Sequence, residues 1–385
     1  MTERPDLTPP SPLAPPPPDV PREDLGRPVA PAPAVETHPM SFTGQAGEYF
    51  RIWIVNTALT IVTLGLYLPW ARVRQRQYFY GHTWLDGHNF EYTASPLALL
   101  RGYLIVGAFF LAYSVSSNFE QTFWLAGVIG VLFLVLYPWL VMKSLRFLTA
   151  SSTHRGLRFR HHGRAGGAYT SYGLANLAAG LSGGLALPWA WFMQRRYQVE
   201  GAAYGSARAK FRGDVGDFYV IGLTGLAVSI GGAMLLAVPV VGLLFLLGLL
   251  DTPASVGGVP STGIIAGLVA AYLAFLTLYG VAWQYVRAAT LRYVLNRVEV
   301  GGVVRTAATF SPWRLVWIGV TNTLAQVLTL GLATPWAAVR RARYVASGVQ
   351  VRAIGSLDSF AADVTPDENA LGEAATELLD INLGF

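Results

Sequence analysis

Residues 56–78 read NTALTIVTLGLYLPWARVRQRQY, and residues 322–344 read NTLAQVLTLGLATPWAAVRRARY. Asn, Thr, the Thr-Leu-Gly-Leu run, Pro-Trp-Ala, Val-Arg and Tyr coincide at a constant offset of 266 residues. A third copy, NLAAGLSGGLALPWAWFMQRRY, fills 176–197 and is one residue shorter before its proline. In each copy eight residues separate the tryptophan from the arginine-flanked tyrosine: Trp70 to Tyr78, Trp189 to Tyr197, Trp336 to Tyr344. Each copy is an uncharged run that gives way to Pro-Trp and then to arginines, the pattern of a chain passing from an apolar phase to water.

The whole chain supports that setting. Of its 385 residues 53% are hydrophobic and only 13% charged, against about 25% charged in an ordinary soluble domain. With no cysteine in the chain, a disulfide framework, a thiolate metal site and a cysteine nucleophile are excluded. Long uncharged runs lie at 52–71, 102–119, 121–142, 165–194, 218–250, 252–286 and 315–339, and about 20 apolar residues cross a bilayer as a helix. The basic segments 72–101, 143–164, 195–217 and 287–314 carry four, six, five and five Lys+Arg, whereas the connections at Glu120 and from Asp251 to Gly263 carry none. Basic loops stay cytoplasmic, so 102–142 and 218–286 read as two hairpins that cross and return. The long run 218–250 reads as one tilted or broken helix around Gly231, Gly232 and Pro239. The three repeated elements, near 52–78, 172–197 and 318–344, admit two readings. Full spans put two basic loops outside, while re-entrant elements break no loop rule.

The ends differ from this core. Residues 1–40 hold 13 of the 23 prolines and read as a disordered tail, without the basic and apolar regions of a secretory signal. Residues 356–385 hold seven acids and no base; apolar spacing between Asn369 and Leu383 suggests a short amphipathic helix there. The core, 41–355, keeps 25 Lys+Arg against 9 Asp+Glu. Short period-two pieces follow the basic stretches at Gly87–Tyr92, Gly156–Arg160, Gly205–Phe211, Val298–Val304 and Gly348–Arg352, which predicts five strands pairing as a small cytoplasmic sheet. The expected fold class is an all-α multi-pass membrane protein built from internal repeats, with short cytoplasmic β elements.

Phe42-Thr-Gly44, Asn56, Thr63-Leu-Gly-Leu-Tyr67, Pro69-Trp70 and the arginine-flanked Tyr78 together resemble the YjgN-like family of bacterial inner-membrane proteins, known as domain of unknown function 898. The likeness covers about 42–360; the middle copy departs from it at Ser182-Gly-Gly-Leu185. The resemblance implies a multi-pass inner-membrane location and supplies neither a substrate nor catalytic residues.

The residues that repeat are the candidates for function. Asn56, Asn176 and Asn322 lie among apolar neighbours, where an unpaired amide is costly; they read as interhelical hydrogen bonds or as part of a polar pathway with Thr63 and Thr329. Pro69, Pro188 and Pro335 bend or end a helix. Trp70, Trp189 and Trp336 suit the interfacial level, as anchors or as grips on a headgroup. Arg72, Arg74, Arg76, Arg195, Arg196, Arg340, Arg341 and Arg343 are candidate contacts to anionic headgroups. No Asp, Glu, Lys, Arg or His interrupts a long apolar run, so a proton relay has no machinery. A phosphate-binding loop, a histidine metal spacing, a cofactor fingerprint and a basic face for nucleic acid are all missing from the sequence. The reading is a non-enzymatic inner-membrane protein: a passive or partner-driven carrier of a small molecule or lipid, with a lipid- and partner-binding scaffold or envelope-assembly protein as the alternative.

Overall fold

The computed structural model describes residues 35–248, 255–256, 259–260 and 262–364. Its chain repeats one phrase, a pair of helices followed by a pair of strands. Strand β1 (Val35–Phe42) leads into α1 (Ala46–Val62) and α2 (Leu68–Gly81), then β2 (Thr83–Leu85) and β3 (His88–Tyr92). Helices α3 (Pro96–Ser117) and α4 (Phe123–Ala150) precede β4 (Ser152–His154) and β5 (Leu157–His161). The third pair is α5 (Ala165–Ala168), a π-turn over Tyr169–Leu174 and α6 (Ala175–Leu181), answered by α7 (Leu187–Gly201); β6 (Ala202–Tyr204) and β7 (Ala207–Phe211) follow. Helices α8 (Val215–Leu246) and α9 (Thr262–Leu295), with the two-residue strands β8 (Ser255–Val256) and β9 (Val259–Pro260) between them, lead to β10 (Val298–Val300) and β11 (Val304–Ala308). The fifth pair, α10 (Pro312–Leu328) and α11 (Thr334–Ser347), ends in β12 (Val349–Ile354) and the short α12 (Leu357–Asp363).

The strands correct the expected all-α class. Ten of them close into an antiparallel barrel in the order β1, β12, β11, β10, β7, β6, β5, β4, β3, β2, with β2 returning to β1. Four of the five period-two pieces each contain one strand that is half of a ladder, while Val298–Val304 covers β10, the glycine turn and the start of β11. Companions such as Thr83–Leu85, Ser152–His154 and Ala202–Tyr204 have three residues each, too few to show an alternation. Closure also removes the two edges that an open sheet would leave unpaired. The last ladder joins the ends of the described chain, β1 to β12, with Val35 opposite Ile354 and Pro39 opposite Gln350. Strand β1 thus takes in Val35 to Met40, which composition places in the tail; the acidic stretch Asn369–Leu383 lies outside the described residues. Two two-residue β-hairpin turns place both residues at positive φ, Asp86-Gly87 and Arg155-Gly156, the twist that such hairpins need, and the three-residue β10–β11 loop carries Gly301 and Gly302 at positive φ.

Alternation along the strands turns Leu85, Val304, Val351 and Ala353 into the lumen, where Leu357 of α12 joins them and Phe360 packs alongside. On the outer side Glu299 is buried between Arg212, at 2.6 and 3.0 Å, and Arg305, at 3.1 Å. Among the described residues four helical stretches are long and apolar enough to cross a membrane: Pro96–Ser117, Glu120–Ala150, Val215–Leu246 and Ile265–Leu295. They fall in the two pairs expected near 102–142 and 218–286, and 218–246 is one continuous helix with Pro239 inside it. Phe110, Leu134, Leu235 and Phe275 stand exposed on their outer faces, an apolar surface that an aqueous medium would not leave uncovered.

His161, at the end of β5, is buried against the backbone of Gly201, and its ring meets that of Tyr197 at 5.1 Å. Burial, then the positive charges of Arg146 and His162, push its pKa down to about 4. A depressed histidine pKa means that the unfolded chain binds the proton more tightly. Stability should therefore be complete above pH 6.5 and fall as pH drops toward 4, by up to about 3 kcal/mol. Melting of the detergent-solubilised protein between pH 7 and 4, with imidazole NMR of His161, checks this; a His161 signal titrating near 6.5 contradicts it.

Candidate functional site

The three related elements are helical hairpins: α1 with α2, α6 with α7, and α10 with α11, whose arms pack side by side. Their shared residues each hold one part of the hairpin. At the tip, the Thr63 hydroxyl donates to the Leu59 carbonyl at 2.7 Å and accepts from the Tyr67 amide at 3.0 Å. Thr329 does the same between Ala325 and Ala333, and Ser182 between Ala179 and Ala186. The Gly65, Gly184 and Gly331 amides reach back to the carbonyls of Thr60, Ala179 and Gln326 at 2.7–2.8 Å. Those glycines adopt φ of +90° to +93°, and Leu64 and Leu330 before two of them sit at φ +49°, a left-handed conformation that a leucine accepts at a cost. The tip is polar inside and apolar outside, with Leu64 and Leu330 both 95% exposed.

Proline opens each second arm at its first turn, where a missing N–H costs nothing. Pro69 and Pro335 are fully buried, and Pro188 lies against Gly222 of α8. At the base, the tyrosine clamps the residue that starts the first arm. Tyr78 exchanges two 2.8 Å bonds with the Gln45 backbone, Tyr344 pairs with Ser311 at 3.0 and 3.3 Å, and Tyr197 donates to the Arg164 carbonyl at 3.2 Å. Burial raises the pKa of Tyr78 and Tyr197, which keeps these phenols protonated donors. Sequence reasoning recorded the eight-residue spacing to this tyrosine and missed the clamp.

Two of the three asparagines join arm to arm. Asn322, 7% exposed, donates to the Ala337 carbonyl at 3.0 Å and accepts from Arg340 at 3.0 Å. Asn176 donates to the Tyr172 carbonyl and accepts from Gln194, both at 2.8 Å. Asn56 is buried at 6% exposure, and its carbonyl oxygen has no protein partner. Of the tryptophans, Trp70 stacks on Tyr67 at 5.9 Å, Trp189 packs against the small core of Ala175, Ala179 and Ala190, and Trp336 lies under Arg340 at 5.0 Å.

Two of the predicted arginines converge, and they do so where the first hairpin meets the last. A groove of about 1190 Å³ is lined by Gln45, Ala46 and Gly47 at the start of α1 and by Arg314, Trp317, Trp336, Arg340 and Arg343 of α10 and α11. Among the described residues no Asp or Glu lines it. Arg340 is fixed by Thr321 at 2.7 Å and by Asn322, and Arg343 by the Gly44 carbonyl at 3.0 Å. Arg314, which sequence reasoning passed over because it precedes the repeated stretch, lies over the Tyr344 ring at 6.0 Å. Of the remaining predicted arginines, Arg76 bonds Tyr92 at 2.7 Å, Arg196 pairs with Glu200, Arg74 lies by Tyr67 and Arg72 stands exposed, while Arg195, which bonds Gln198, and Arg341 each lie near enough to Arg287 to feel its charge. Three fixed cations beside two indoles and a helix start form an environment for a negatively charged group. Among the described residues no three His, Asp or Glu stand together to hold a metal.

The family described as bacterial protein of unknown function (DUF898) matches residues 37–378, and the chain belongs to it. Inner membrane protein YjgN of Salmonella typhimurium is 34% identical over 128 residues, 32% of this chain and 31% of the relative. The protein of that name from Escherichia coli strain K12 is 32% identical over 126 residues, with the same shares. The match spans under a third of the length of these relatives, and no solved structure matches the chain.

If the tip hydroxyl is what satisfies the buried turn, Thr329→Val should leave the Ala333 amide unpaired and cost about 1–2 kcal/mol, whereas Thr329→Ser should cost a few tenths. Thermal melting of both variants in detergent compares them, and equal melting points would contradict the role.

Proposed function

We propose that this DUF898 member is a multi-pass inner-membrane protein that holds an anionic lipid headgroup in the groove between its first and last helical hairpins, as a scaffold rather than as a carrier. The observation that carries the reading is the set of three guanidinium groups, Arg314, Arg340 and Arg343, gathered without a carboxylate beside Trp317 and Trp336. Arginine suits phosphate through its forked donors, and indole suits the headgroup level. The scaffold reading gains over carriage because Asn56 and Asn322, the polar residues suited to a pathway, are sealed within their hairpins.

In this reading the barrel lies on the cytoplasmic side, the four long helices cross as two pairs, and the three short hairpins re-enter. Helix α1 has 17 residues and α2 has 14, so the arms reach about 25 and 21 Å, short of a hydrocarbon core near 30 Å. A tip that pairs its own backbone and displays leucine meets the demand of lipid on irregular chain. Single cysteines test this on a chain that has none. In intact spheroplasts a membrane-impermeant maleimide should label Gln121→Cys, and label Ser206→Cys only after permeabilisation. Leu330→Cys should resist from both sides. Labelling of Ser206→Cys in intact cells overturns the arrangement.

Native mass spectrometry of the protein from mixed phosphatidylglycerol and phosphatidylcholine tests the groove. Phosphatidylglycerol should be retained preferentially. Arg314→Gln, which removes a cation without breaking a structural hydrogen bond, should cut that preference about fivefold, from about 1 kcal/mol per surface arginine. An unchanged preference in this variant argues against the groove.

A further inference from the structure

A second cavity lies on the barrel axis, apart from the groove. Its inner part, about 260 Å³, occupies the lumen, and its outer part, about 540 Å³, lies where α2, α4 and α11 meet the strands. Met40, Phe90, Phe159 and Val349 line both parts, so the two adjoin. Eight strands enclose little more than their own side chains, and a slightly larger ring leaves room for a small ligand. At one end of the barrel Leu357 and Phe360 of α12 line the lumen. Arg155 holds α12 through Asp358 and holds the neighbouring turn through Asp86, both at 2.5 Å. Together the two parts of the cavity fall within the roughly 300–1,000 Å³ of small-molecule sites.

Its walls are mostly apolar, and the hydroxyls in them, of Tyr80, Thr83, Thr149, Ser152, Tyr204 and Thr306, already bond protein atoms; two other groups lack partners. His154, 6% exposed, lines the lumen with an Nε2 that bonds no protein atom, and the Nε of Arg155 in the same wall is likewise unpaired. Buried polar atoms are costly to leave unmade, so they ask for a polar group from a ligand. The charge of that group follows from the neighbours. Arg155 is already matched by Asp86 and Asp358, and burial together with Arg155 holds the His154 pKa below its ordinary value, which keeps the ring neutral. No positive charge remains to balance an anion. A hydroxyl both donates and accepts, so it satisfies either tautomer of His154 and can accept from the Arg155 Nε–H.

We propose that the axial cavity binds a neutral single-chain amphiphile, a long-chain alcohol, with its hydroxyl at His154 and Arg155 and its chain along Phe90 and Phe159 toward α11. The site is independent of the headgroup groove, and lies deep in the barrel rather than at its surface.

A diazirine-bearing long-chain alcohol, photolysed on the detergent-solubilised full chain and mapped by peptide mass spectrometry, tests the assignment against the carboxylate of the same chain length at pH 8. The alcohol should label peptides carrying Phe90 and Phe159, and the carboxylate should label them at least fivefold less. His154→Phe, which retains a ring over Phe90, should bring alcohol labelling down to the carboxylate level, and Ala346→Phe should block it by filling the outer part. Each variant is scored only after its melting point matches that of the parent, and either alone suffices. Arg314→Gln should leave the labelling unchanged, so failure of the groove and failure of this site are separate results. Equal labelling by both probes, labelling confined to the outer helix faces, or labelling indifferent to both variants overturns the proposal.

Discussion

The ladder between β1 and β12 is the interaction on which the rest of the molecule depends. It pairs the first strand with the last across more than 300 residues, Val35 with Ile354 and His38 with Val351, and so closes a loop whose entropy grows only slowly with length. Closing it leaves no sheet edge, seals the lumen that carries the axial cavity, and brings α1 against α11. The groove exists only because of that last contact: Arg343 reaches the Gly44 carbonyl from the opposite end of the chain. Without that ladder the other nine would leave an open sheet, with no strand pairing to hold the first hairpin against the last.

Where the sequence was legible, the reason is length. Helices of 22 to 34 residues with almost no charge declare themselves through composition alone, and their two pairs follow from where the arginines fall. The five-residue strands His88–Tyr92 and Leu157–His161 show their period, but their three-residue partners do not, and a ladder cannot be read from one side. Strand β1 was hidden by the prolines before it and by Pro39 within it, since proline argues against a paired strand. Strand β1 also ends at the Phe42-Thr-Gly44 pattern, whose last residue needs glycine because a Cβ there would lie 2.5 Å from the Phe42 ring. That pattern was visible in the sequence without its reason.

The repeated residues proved to be the least chemical part of the chain. Threonine or serine closes the tip, glycine turns it, proline starts the returning arm, asparagine crosses between arms in two of the three copies and tyrosine clamps the base. Each task is local to one hairpin, which is why the same letters serve in three places that face different neighbours. The distinctive chemistry lies where the three elements differ. Eighteen residues after the asparagine stand Arg74, Gln194 and Arg340. Gln194 and Arg340 both bond their asparagine, but only Arg340 has Arg343 and Arg314 beside it around one groove. A repeated pattern therefore pointed to the scaffold, and the departure from it pointed to the site.

Electrostatics separates the two cavities. In the groove, arginines outnumber carboxylates, and the backbone dipole at the start of α1 adds to the same sign, so the cost of desolvating an anion is met by fixed positive charge. In the barrel lumen, one arginine faces two carboxylates and a neutral imidazole, and an anion entering there would lose its water for nothing. The same residue type thus favours a charged ligand at the rim and a neutral one on the axis, because what decides the sign is not the arginine but how many of its donors are already taken. Arg155 has committed both terminal nitrogens to Asp86 and Asp358 and presents its unpaired Nε–H, a single donor that suits a hydroxyl oxygen and falls short of the paired donors a phosphate takes.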